Sequence, residues 1–224
     1  MPGIYSPLDG IIGVQSALGG RGGGVRYLLR DEFTTDRAAG AVDGTAAEPG
    51  PGTRTVVDTE SKITISADKL TFAGGRAAPF WGDPAAYYGA IERTPGRLLI
   101  ASFVPAGSGV GGADIGFDSD KTSTNLNGLN VVATNLRFSN VVLGAVGGGT
   151  EYKYAIALVA AGFLGFIKGG AYTRWTYVGR WRTTDTTATL YPGLTNYNEA
   201  FTADFIRIPD ALWLPTPLVS YGFD

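Results

Sequence analysis

Between Val25 and Arg207 apolar and polar residues alternate in short runs, and the period is that of a strand. In "KITIS" Ile63 and Ile65 fall on one side; in "EYKYAIAL" Tyr152, Tyr154, Ile156 and Leu158 do the same. Runs of this kind, rich in β-branched and aromatic residues and bounded by Gly, Pro, Asn and Asp, predict strands. They occur at "VRYLLRDEF", "TRTVVDT", "KITISA", "KLTFAG", "AYYGAIE", "RLLIASFV", "ADIGFDS", "LRFSNVVLG", "EYKYAIALV", "FLGFIKG", "RWTYVGRW" and "TADFIRI". Helical periodicity is almost absent, so the pattern predicts an all-β antiparallel sandwich. The longest apolar run, "YAIALVAAGFLGFIK", falls short of the ~20 residues a spanning helix needs. It reads as two buried strands turning near Gly162, and no membrane partner is expected.

The pattern breaks at both ends and once inside. Residues 1–24 mix large apolar side chains with Pro and Gly and show neither period, which predicts an arm leaving a sandwich of residues 25–208 at the glycine joint Gly22 to Gly24. Ile4, Tyr5, Leu8, Ile11, Ile12, Val14 and Leu18 give this arm groups to bury on a partner subunit. Ordering it costs about 1–2 kcal/mol of backbone entropy per residue, which extensive contact must offset. Arg37 to Thr53, "RAAGAVDGTAAEPGPGT", reads as a long surface loop. After Arg207 three prolines delete backbone donors, so residues 209–224 are expected to run extended along the surface with Trp213 as anchor.

Composition narrows the chemistry. With 18 basic and 20 acidic residues the net charge is −2, and no block of like charge tracks a phosphodiester backbone, so nucleic acid is not an expected partner. The chain has no cysteine and no histidine, which removes disulfides, Cys and His metal ligands, and the nucleophile systems that rely on them. The start "MPGIYSPLDG" lacks a basic region followed by an apolar core, so no secretory leader is expected there. Glycine is abundant at 34 of 224 residues and predicts many turns. "GSGVGG", Gly107 to Gly112, formally fits a nucleotide-binding glycine pattern, but a predicted strand follows it where a helix is required.

Two clusters hold candidate chemistry. "DIGFDSDKTSTNLN" gathers Asp114, Asp118 and Asp120 with Asn125 and Asn127, oxygen donors of the kind calcium takes. Because the EF-hand spacing is not met, a polar loop whose side chains cap turns is the preferred reading, and no cofactor is expected. In "AYTRWTYVGRW" Trp175, Tyr177 and Trp181 share a face at even spacing with Tyr172 nearby. An open face of this kind is a stacking platform for sugar rings or a partner's apolar side chain; a closed one is core, the commoner case.

The order "LLRDEFTTDRAAG", "TRTVVDTESKITISADKLTFAGG", "IGFD", "EYKYAIAL" to "TYVGR" and "ADFIRIPDALWLPTP" resembles the concanavalin A-like (laminin G-like) jelly-roll modules of tailed-bacteriophage structural proteins and bacterial surface proteins. The resemblance covers Val25 to about Pro217. It implies a two-sheet antiparallel jelly roll that, in lectin-like members, takes sugars near a loop rim, often beside calcium. Related glucanases of this fold carry Glu-x-Asp-x-x-Glu on one strand, and "DIGFDSD" departs from it in residues and spacing; Glu92 and Glu151 read as solvent-facing. The expectation is therefore a non-enzymatic virion structural protein, located on a capsid, tail or fibre. It would hold other virion proteins or copies of itself through the arm and the jelly-roll surface. The alternative is a carbohydrate-binding adhesion module with glycans as partners.

Overall fold

In the computed structural model the described residues are 26–75, 77, 82–106, 112–121, 126–132, 135–138, 141–182 and 187–213. Seventeen strands run through them, without a helix, in two antiparallel sheets. This is the jelly-roll sandwich. The first sheet runs β14 (Tyr172–Arg182), β13 (Gly162–Gly169), β12 (Tyr152–Val159), β7 (Leu98–Pro105), β16 (Phe201–Ala203), β4 (Lys69–Phe72) and β3 (Ile63–Ser66). β17 (Ile206–Pro209) joins it beside β7, and β1 (Tyr27–Asp31) pairs with β17. The second runs β11 (Val141–Ala145), β10 (Asn135–Phe138), β9 (Asn127–Val132), β8 (Gly112–Asp118), β15 (Thr189–Tyr197), β5 (Ala85–Tyr87) and β2 (Thr55–Val57), with β6 (Ile91–Glu92) on β15.

The alternating residues meet between the sheets as expected. Ile63, Ile65, Tyr154, Ile156 and Leu158 of the first sheet pack with Ile115, Phe117, Leu129, Val131 and Leu194 of the second in one core. The apolar stretch forms the β12–β13 hairpin, turning at Ala160–Ala161, one residue before Gly162. Gly169 and Gly170 make the next turn at φ +123° and +54°, conformations that a side chain would strain.

Two strands escaped the sequence pattern. β15 contains Pro192 and Gly193, residues that argue against a central strand, yet it is paired on both sides. In an antiparallel ladder one residue's N–H and C=O point to the same neighbour. The Pro192 carbonyl accepts the Tyr88 amide just beyond β5, so the missing donor faces the gap between β5 and β6, where no ladder partner needs it. β9, "NGLNVV", was hidden by its Asn and Gly content.

The expected surface loop 37–53 is also corrected in part. It sends Val42 and Ala47 into the core and closes over a buried ion pair. Asp31 and Arg54, both fully buried, make two hydrogen bonds of 2.6 Å. The Tyr88 hydroxyl and the amides of Phe33 and Glu48 donate to the same carboxylate, and Arg54 reaches the Thr45 hydroxyl. Burying a charge pair demands such full satisfaction, and the loop supplies it.

At the other end the chain crosses the outside of the first sheet. Trp213 is 2% exposed and packs with Leu98, Ala155, Ala157, Phe166 and Trp175. Its amide donates to the Gly96 carbonyl, and Arg97 donates to the carbonyls of Pro209 and Asp210.

Candidate functional site

Strand alternation sends Ala113, Ile115 and Phe117 of β8 into the core and turns Gly112, Asp114, Gly116 and Asp118 to the outer face of the second sheet. Antiparallel partners share a face, so the register builds that surface in cross-strand rows. One row is Thr195, Asp114, Asn130 and Arg137, on β15, β8, β9 and β10. At ~4.8 Å per strand it is about 14 Å long. The row on one side is Tyr197, Gly112, Val132 and Asn135; on the other are Gly193, Gly116 and Gly128, and beyond them Tyr191 opposite Asp118.

Three glycines in register leave the sheet bare, and Tyr87 of β5 uses the space. A Cβ on Gly193 would stand 2.7 Å from Tyr87 Cδ1. Ala85 and Leu126 bury Tyr87 further, with Tyr191 packed against them, so this end of the face is closed. The opposite end is open. Tyr197 is 37% exposed, Arg137 is half-buried, and Asn130 sits between Arg137 and the fully buried Asp114.

The buried acids sit without a cation. Neither carboxylate oxygen of Asp114 has a well-formed hydrogen bond. Burial pushes its acid constant well above the usual carboxylate range, against the opposing pull of the nearby Ile115 and Leu126 amides, and the charge of Asp118 adds to the rise. Burial also raises Asp118, whose Oδ1 accepts the Ser119 amide at 2.7 Å. The Tyr87 hydroxyl is pushed up by burial and then by Asp118, which it faces. Thr195 is committed to backbone: its hydroxyl accepts the Gly82 amide at 2.9 Å and donates to the Pro84 carbonyl at 3.1 Å.

The sequence-predicted sites are placed as follows. Asp114 and Asp118 lie on β8, as the strand pattern of "ADIGFDS" predicts and against the polar-loop reading of the cluster, and of the two only Asp118 caps a turn; Asp120 is exposed and Asn125 lies outside the described residues. Among the described residues no three ligating side chains converge on a metal site. The shared face of Trp175, Tyr177 and Trp181 is corrected by a bulge. Gly165 pairs with Gly179 but Phe166 pairs with Tyr177, so Val178 is an extra residue that reverses the alternation. Trp175 and Tyr177 lie outside the first sheet with Phe166, Trp175 being only 5% exposed, whereas Trp181 packs against the inter-sheet core. Tyr172 packs on that core too, its hydroxyl 2.6 Å from where a Gly144 Cβ would stand. The arm residues Ile4, Tyr5, Leu8, Ile11, Ile12, Val14 and Leu18 lie outside the described residues.

Sequence reasoning missed Tyr87, Asn130, Arg137, Thr195 and Tyr197. The alternation of Leu129 and Val131 with Gly128 and Asn130, and of Leu190 and Leu194 with Tyr191 and Thr195, was the signal that could have found them.

No family model and no curated protein matches the chain. Solved structures do. A protein from a study of endo-acting O-glycanases that gut bacteria express to initiate mucin breakdown is similar with a TM-score of 0.54 at 9% identity, over 84% of this chain and 100% of that one. An uncharacterised protein of Mycobacterium paratuberculosis has a TM-score of 0.51 at 10% identity, over 81% and 100%. An immunostimulatory antigen and pseudo β-1,3-glucanase of Mycobacterium tuberculosis has 0.50 at 9%, over 83% and 99%. At this identity the likeness establishes the concanavalin A-like jelly roll. The phage part of the resemblance draws no support from these three. The expectation of a non-enzymatic chain is overturned as an inference: the fold is shared with a protein from a study of endo-acting O-glycanases and with a pseudo β-1,3-glucanase, so it occurs both among enzymes and among pseudo-enzymes.

Proposed function

We propose that this chain recognises a saccharide on the outer face of its second sheet, at the open end. The observation that carries the reading is the exposed Tyr197 ring beside the row Thr195, Asp114, Asn130 and Arg137. A pyranose offers an apolar face that stacks on an aromatic ring and a rim of hydroxyls that bond to amide and charged side chains. Arg137 supplies charged donors at the rim of this face, and the buried Asn130 and Asp114 beside each other on β9 and β8 keep its floor polar. The fold's occurrence in proteins described as O-glycanases and a pseudo-glucanase supports this direction. The test is a glycan panel probed with the wild-type chain and with Tyr197→Ala, with released reducing ends measured alongside binding. Binding that weakens about tenfold in the variant, as loss of one stacked ring implies, supports the reading. No binding to any glycan by the wild type overturns it.

A second reading rests on residues 1–24, whose apolar side chains among glycines suit attachment to a partner. It places the chain on a tailed-phage particle, holding virion proteins or copies of itself. Deleting residues 1–24 and measuring incorporation into particles tests this: unchanged incorporation removes the arm from the mechanism.

A further inference from the structure

We infer that Arg137 makes this face selective for an acidic saccharide, one bearing a carboxylate or a sulfate. The inference rests on the glycan reading above and names the substrate class of the same site. Arg137 stands opposite Asn130 at the end of the Thr195 row, with the exposed Val142 of β11 as its other neighbour. Its side chain is half-buried, and its Nε is buried without a hydrogen-bond partner.

The other arginines with described side chains are occupied. Arg54 and Arg207 hold carboxylates at 2.6 Å, Arg30 holds one at 2.8 Å and Arg37 one at 3.4 Å. Arg93 and Arg97 donate to backbone carbonyls. Among the arginines with described side chains only Arg137 engages neither a carboxylate nor a carbonyl nor any other partner.

The acids of its own face do not serve it. Asp114 lies two strands away, about 10 Å, and Asp118 a further four residues along β8. A guanidinium presents a planar fork that matches a carboxylate or sulfate with two parallel hydrogen bonds, and such charge-assisted bonds are worth about 1.5–3 kcal/mol. Half-burial strengthens the pull for an anion, since the partly desolvated cation has lost water and gained no partner. Tyr197 then stacks on the uncharged part of the sugar, and Arg137 reads its acidic group.

The experiment compares matched probes: polygalacturonate against its methyl ester, and dextran sulfate against dextran, each titrated into the wild type, Arg137→Gln and Arg137→Lys. At least one acidic polymer is expected to bind about tenfold tighter than its neutral counterpart, a gap that Arg137→Gln erases and Arg137→Lys restores in part. Since Arg137 holds no partner, Arg137→Gln is expected to keep the wild-type denaturation midpoint, which separates lost recognition from lost folding. Equal binding of acidic and neutral probes, or a preference that persists in Arg137→Gln, overturns the inference. If neutral glycans bind in a Tyr197-dependent way without any acidic preference, the inference falls and the glycan reading stands; if no glycan binds, both fall.

Discussion

Asp31 and Asp114 are both fully buried aspartates on strands, one in each sheet, and the protein treats them in opposite ways. Asp31 points between the sheets and is saturated: Arg54 clasps both oxygens, and the Tyr88 hydroxyl and two amides complete the shell. Asp114 points away from the core and has no cation and no well-formed hydrogen bond. Tyr87 and Tyr88, neighbours in sequence, divide between them, Tyr88 donating to Asp31 and Tyr87 facing Asp118 on the Asp114 strand. A satisfied buried charge locks a fold. An unsatisfied one, held beside an open surface, marks a place where the fold has been kept polar at a cost in stability.

Four measurements break or sharpen this contrast. The largest effect belongs to Arg54→Leu, which strands Asp31 and the loop 37–53 around it; unfolding by denaturant should show a loss of about 3–5 kcal/mol. A loss below about 1 kcal/mol would mean that the pair is not the lock described. Tyr88→Phe removes one donor from the same carboxylate and should cost about 1–3 kcal/mol in the same assay.

Asp114→Asn should act in the other direction. A carboxyl whose folded acid constant is raised binds its proton more tightly in the native state. Its contribution is therefore complete below the unfolded value of about 3.9 and is lost as pH rises through the folded value. The Asn variant should match the wild type in acid and exceed it in thermal midpoint at neutral pH, the gap growing with pH. A gap that grows toward acid would reverse the assignment. Tyr87→Phe should be the smallest change, within about 0.5 kcal/mol, because its hydroxyl lacks a well-formed bond to lose. A cost equal to that of Tyr88→Phe would show the two tyrosines to be equivalent after all.

Much of the sandwich is legible in the order of residues. Ile63 and Ile65, or Tyr154 and Ile156, alternate because one face of each strand must leave water, and that rule is local. The errors fall where a local rule was outvoted. Pro192 is tolerated in β15 because its neighbouring strand has a gap opposite, and Val178 reverses the aromatic row because one extra residue opposes β13. The candidate site is barely legible: Asp114 and Arg137 fall in separate predicted strands and Asn130 in none, and only the pairing of β8, β9 and β10 lines them up.

By itself, then, the amino-acid sequence determined an all-β chain with its apolar half turned inward and no cysteine or histidine chemistry, since alternation and composition act over a few positions. The tertiary structure decided which polar residues became neighbours. Arg54 reaches Asp31 across 23 positions and Thr195 stands beside Asp114 across 81, distances over which strand register, set by the packing of whole sheets, is what brings side chains together.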